Sequence, residues 1–103
     1  MFNLERIQAA LKQFEIDTWL LYDFRGSNVL ARRVLDLESQ PVCSRRFCYA
    51  IPAEGEPIKL VHRIEAGSLD HLPGRKIVYL RWQELEAGFA ELVKGANTVA
   101  MEY

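Results

Sequence analysis

Leu4, Ile7, Leu11 and Phe14 recur at three- and four-residue intervals, with Glu5, Arg6, Gln8, Lys12 and Gln13 between them. That spacing predicts an amphipathic helix with Asn3 as its N-cap. The run Thr18-Trp19-Leu20-Leu21-Tyr22 is short and continuously apolar, as a strand covered on both faces would be. A polar turn, Asp23-Phe24-Arg25-Gly26-Ser27-Asn28, follows it. Ser27 or Asn28 is placed to cap a second helix that carries Val29, Leu30 and Val34 inward. Gln40-Pro41 breaks the chain. Arg46-Phe47-Cys48-Tyr49-Ala50-Ile51 and Ile58-Lys59-Leu60-Val61-His62 read as strands. The turn formers of Pro52-Ala53-Glu54-Gly55-Glu56-Pro57 join them in an antiparallel hairpin. A short helix is predicted over 65–72, ended by Pro73-Gly74, then a strand over 76–80. Trp82, Leu85, Phe89, Leu92 and Val93 trace one face of a further helix, and Gly95 stands where a left-handed C-cap residue belongs. A buried strand is predicted over 98–103.

Strands alternating with helices call for a sheet with helices packed on it. The hairpin forces at least one antiparallel pair. The fold class is therefore α/β, a mixed sheet of five strands, or six if the piece near 41–44 is one, flanked by helices. The 103 residues suffice for a single domain with one modest core. An apolar strand at the very end of the chain reads as a cut at a domain boundary, so the expectation is one domain of a longer protein.

Composition removes several functions. A net charge of −1, with basic residues scattered apart from Arg32-Arg33 and Arg45-Arg46, gives no electrostatic footprint for nucleic acid. No run approaches the roughly 18 apolar residues that cross a bilayer. The N-terminus starts an amphipathic helix rather than a signal pattern, which points to a cytoplasmic location. Cys43 and Cys48 are too few for a disulfide framework, and Cys48 sits among core residues.

The 23–28 turn is the best site candidate from the residues themselves. It leaves the carboxyl end of a buried strand and enters a helix, where α/β sheets gather ligands. Gly26 allows close approach and Arg25 suits a carboxylate or phosphate. His62 and His71 have no third ligand at metal spacing. His71 suits a helix C-terminus. The carboxylates sit singly on helix faces and in turns, not paired as a two-metal hydrolase requires. Trp19, Trp82, Phe47 and Phe89 fit core periodicity.

Four segments in register carry a resemblance: Trp19-Leu20-Leu21-Tyr22-Asp23-Phe24-Arg25-Gly26-Ser27-Asn28; Ile51-Pro52-Ala53-Glu54-Gly55-Glu56-Pro57-Ile58-Lys59-Leu60-Val61-His62-Arg63-Ile64-Glu65; Leu69-Asp70-His71-Leu72-Pro73-Gly74; and Val99-Ala100-Met101-Glu102-Tyr103. Over nearly its whole length the chain resembles the N-terminal domain of the pita-bread metallopeptidases, which include Xaa-Pro dipeptidase (prolidase), aminopeptidase P and creatinase. The resemblance implies a ribonuclease H-like layout and a non-catalytic role within a two-domain parent. It implies a separate catalytic domain that holds two divalent metals (Mn, Co or Zn) with two Asp, one His and two Glu, none of which maps here. It implies no cofactor in this chain. The implied partners are the parent's own catalytic domain, docked on an exposed apolar face, and a second subunit of a homodimer. Phe24, Arg25 and Asn28 become candidates for the substrate edge or the dimer contact, and His62 and Arg63 for a second patch. The alternative is a stand-alone module that binds a small ligand or anion at the same turn.

Overall fold

In the computed structural model, which describes residues 2–24, 28–37 and 45–102, helices and strands alternate around one sheet. Helix α1 (Leu4–Gln13) starts at Asn3, whose Oδ1 accepts the Arg6 N–H at 3.1 Å. Strand β1 (Thr18–Asp23) leads to the short helix α2 (Val29–Val34), capped by Asn28. Strands β2 (Phe47–Pro52) and β3 (Ile58–His62) form the expected hairpin. Strand β4 (Arg75–Tyr79), helix α3 (Trp82–Leu92) and strand β5 (Val99–Glu102) complete the chain.

Among the described residues the sheet has five strands in the order β4-β3-β2-β1-β5. It is mixed: β1–β2 and β2–β3 are antiparallel, β1–β5 and β3–β4 parallel. The predicted sixth strand near 41–44, together with Ser27 and Cys43, lies outside the described residues.

The two-residue period of the strands divides the core between two faces. Leu21, Phe47, Tyr49, Ile51 and Val61 face Leu11 of α1, Ala31 and Leu35, and Leu69 and Leu72. Leu20, Cys48, Ala50, Leu60 and Tyr79 face Leu85 and Leu92 of α3. The sheet is thus covered on both sides, with β2 at its centre. Burial pushes the Cys48 thiol and the Tyr49 hydroxyl well above their usual titration ranges. Cys48 is a core residue, as the sequence suggested.

Several expectations fail for identifiable reasons. Phe14 is 69% exposed, because α1 stops at Gln13 and the chain reverses. Glu15 takes φ 58° there, and Ile16 packs inward in Phe14's place. The Ile16 N–H donates to Leu11 O at 2.9 Å and the Glu15 N–H to Lys12 O at 3.2 Å, a Schellman cap. Asp36, at φ 56°, closes α2 in the same way. A left-handed glutamate is strained, so Glu15→Gly is expected to stabilise the domain by about 0.5–1 kcal/mol. Urea unfolding checks this, and an unchanged or lower midpoint would contradict it.

In α2 Ala31 is buried and Val34 packs against the core as expected, with Leu35 buried just beyond the helix end, but Leu30 is exposed; the Val29 side chain lies outside the described residues. The cap at Asn28 sets that phase. Residues 65–72 are not an α-helix. A 3₁₀ turn (Arg63–Glu65) is followed by three-residue turns, Ser68 N–H to Glu65 O, Asp70 N–H to Gly67 O and Leu72 N–H to Leu69 O. Three-residue spacing suits Leu69 and Leu72, both buried, and Gly67 and Pro73 disfavour a longer helix. Trp82 is 60% exposed, since Leu85, Gly88 and Leu92 form the inward line of α3. β5 is an edge strand with Val99 and Met101 exposed, rather than a buried one.

Candidate functional site

Asp23 ends β1 with its carboxylate fully buried, and its Oδ1 accepts the Asn28 N–H at 2.8 Å. The Asn28 side chain accepts the Ala31 N–H at 3.0 Å and donates to Tyr22 O at 2.7 Å. Both of its polar groups therefore hold the turn and cap α2. Arg25 and Gly26 lie outside the described residues.

β1 runs parallel to β3 through the two antiparallel steps of the sheet, so the carboxyl ends of β1, β3 and β4 share one edge with the start of β2 and the start of α3. That convergence brings Phe24 and His62 together. With Arg45, Arg46, Tyr79, Trp82 and Leu85 they line a pocket of ≈ 310 Å³. The Arg46 guanidinium lies over the Phe24 ring, 4.2 Å from its centroid, and its Nε donates to the Tyr22 hydroxyl at 2.8 Å. The Tyr79 hydroxyl donates to Arg46 O at 2.5 Å, and burial, its main cause, raises the Tyr79 pKa. His62 stands edge-on to Tyr79 with ring centroids 5.1 Å apart. Its Nδ1 accepts the Ile64 N–H at 3.0 Å. The neutral ring therefore carries its proton on Nε2.

Arg63 opens on an adjoining cleft of ≈ 600 Å³ with Arg81 and Glu84, and Tyr79 forms the shared wall. Glu84 accepts the Arg81 N–H at 2.9 Å and the Leu80 N–H at 3.1 Å. These bonds, that of Arg81 first, hold its carboxyl below the usual carboxylate range. The start of α3 thus already has its anion.

Of the sequence candidates, Phe24 and His62 meet in one pocket, Arg63 sits beside it, and Asn28 serves the turn. Sequence reasoning missed Arg45, Arg46, Tyr79 and Trp82. Their signal was the Arg45-Arg46 pair at the head of a buried strand. His71 is apart from the pocket: its Nε2 donates to Leu35 O at 2.8 Å and ties the 66–72 segment to the end of α2. Among the described residues no three His, Cys, Asp or Glu side chains come together as a metal ion would require, so a two-metal centre does not fit them. Among the same residues no helix is long and apolar enough to cross a membrane.

A second surface lies on the opposite flank. Ala10, Phe14, Ile16, Trp19 and Val34, together with Asn3, Arg6 and Arg33, line a mainly apolar groove of ≈ 530 Å³ between α1 and α2.

The arrangement is a sheet of five mixed strands with helices on both faces, and solved structures share it. The N-terminal domain of Xaa-Pro dipeptidase from Lactobacillus brevis superposes with a TM-score of 0.72 at 20% identity, covering 96% of this chain and 75% of that one. The creatinase/prolidase N-terminal domain of an X-Pro dipeptidase from Streptococcus pyogenes gives 0.70 at 14% identity, covering 97% and 75%. The prolidase from Pyrococcus horikoshii gives 0.61 at 13% identity, covering 96% of this chain and 25% of that one. The fold is that of the creatinase/prolidase N-terminal domain. No protein-family model matches the sequence, and no curated protein matches it.

Proposed function

We propose that this chain is the non-catalytic N-terminal domain of a proline-specific metallopeptidase of the Xaa-Pro dipeptidase or aminopeptidase type. The observation that carries the reading is the superposition of nearly the entire chain on the N-terminal domains of two such dipeptidases. The groove between α1 and α2 is, on that reading, the candidate face on which the catalytic domain would dock. In this reading the catalytic domain of the parent holds the two divalent ions, manganese, cobalt or zinc, and the present residues supply none of their ligands. The edge that carries Phe24, His62 and Arg63 overhangs the substrate entrance or meets the second subunit of a homodimer. Arg25, the next residue in sequence after Phe24, is carried as a further candidate for the same role. The location is cytoplasmic.

The coding sequence of the parent tests the proposal. A downstream continuation bearing two Asp, one His and two Glu in metal-binding order is expected. A stop codon directly after Tyr103 would overturn it. In the full-length protein, Arg25→Ala is expected to alter dipeptide turnover or dimerisation. If both are unchanged, the assignment of that edge is wrong.

A further inference from the structure

We propose that the pocket at the carboxyl edge of the sheet is a binding site for a small oxyanion joined to a planar apolar body, such as an aryl carboxylate or aryl phosphate. This goes beyond the accessory role and does not depend on it.

Three observations converge there. The first is charge. Arg45 and Arg46 both line the pocket, and Arg63 stands in the adjoining cleft. Among the described residues no carboxylate forms an ion pair with any of the three. Three acids lie nearby and bond to backbone groups: Asp23 to the Asn28 N–H, Glu65 to the Arg45 N–H, and Glu84 to the Leu80 and Arg81 N–H groups, with the Arg63 charge also felt at Glu84. Arg46 is also fixed in place at the pocket wall by its Nε bond to Tyr22 and its position over the Phe24 ring. A guanidinium held this way offers parallel N–H donors that match a carboxylate or phosphate.

The second observation is the histidine. His62 is nine-tenths buried, and the Ile64 N–H occupies its Nδ1. That leaves Nε2–H as the only donor of a ring that lines the pocket. A pre-oriented N–H beside two arginines suits an anion better than a cation.

The third is the apolar wall. Trp82 is a large aromatic left exposed at the first turn of α3, where core packing gives it no role. With Leu85 and Phe24 it flanks the cations. A volume of ≈ 310 Å³ is at the lower end for ligand pockets and fits one ring with its head group.

The test is an NMR titration of the purified chain with benzoate and with phenyl phosphate. Benzamide is the neutral control of similar shape, and inorganic phosphate lacks the ring. The expected result is saturable shifts of the Trp82 indole N–H and the His62 ring with at least one aryl anion. Benzamide and inorganic phosphate should bind about tenfold or more weakly. The tighter of the two anions identifies the head group. Arg45→Gln and Trp82→Ala remove exposed side chains, so both variants should fold, and each should weaken binding several-fold. Arg46→Lys keeps the charge but loses the fork, and should weaken it too. The proposal is overturned if neither anion gives saturable shifts at this edge. It is equally overturned if benzamide binds as well as benzoate, or if Arg45→Gln and Trp82→Ala leave the affinity unchanged. The outcome is read on this chain alone, so it stands or falls separately from the reading frame of the parent.

Discussion

Gly74→Ala is expected to destabilise the domain by about 3 kcal/mol or more, whereas Gly55→Ala should cost only about 1–2 kcal/mol. Both glycines have positive φ, +116° at Gly74 and +101° at Gly55. They differ in what surrounds them. A Cβ on Gly74 would sit 2.4 Å from the Pro57 carbonyl oxygen, while a Cβ on Gly55 meets nothing within 4 Å. That carbonyl accepts the Arg75 N–H at 3.1 Å, the bond that starts β4 alongside β3. Backbone cannot yield as a side-chain tip does, so the methyl at Gly74 breaks the entry to the parallel pair as well as straining its own dihedral angle. Urea midpoints for the two variants, at equal denaturant dependence, separate the steric part from the conformational part. Equal losses would mean that the approach to Pro57 is of no energetic consequence.

Leu60→Ala is expected to cost about 2–5 kcal/mol, since the side chain is fully buried between β2, β4 and α3. Its partner across the layer is Gly88, where an added Cβ would lie 2.5 Å from Leu60 Cδ1. Gly88→Ala alone is therefore an overpacking change that costs about 1–3 kcal/mol. In the Leu60→Ala background the same methyl enters the space the leucine has left. The double variant should be more stable than the sum of the two losses by about 1 kcal/mol or more. Additive losses would show that α3 does not press on the sheet through this pair.

The elements were legible where one period dominated. Leu4, Ile7 and Leu11 marked α1, the continuous run at 18–22 marked β1, and the turn formers at 52–57 marked the hairpin. The parallel pairing of β1 with β5 and of β3 with β4 was not, because no local signal records which strands meet across a crossover. Helix phase was misread at the ends. Phe14 and Trp82 both continue an apolar stripe, yet each falls at a terminus where the stripe leaves the core. The segment 65–72 misled because two buried leucines three apart suit a series of 3₁₀-like turns as well as they suit an α-helix.

The candidate site was half legible for a similar reason. Phe24, His62 and Arg63 stood at strand ends that topology joins, and strand ends are visible in sequence. Arg45 and Arg46 precede their strand, Tyr79 ends one, and Trp82 starts a helix. Only the order of strands in the sheet brings these four to the same edge. Asn28 was correctly placed as a cap candidate. Its side-chain oxygen and nitrogen bond the Ala31 N–H and Tyr22 O there, and the residue is buried, which makes it part of the turn's frame.

We propose that these residues build a scaffold with an anion-receptive edge and leave water activation to another domain. Calorimetric titration of manganese into the purified chain, with Xaa-Pro dipeptide hydrolysis followed in the same samples, tests that most directly. No stoichiometric binding and no turnover are predicted. Two ions bound per chain, with hydrolysis that depends on them, would contradict it.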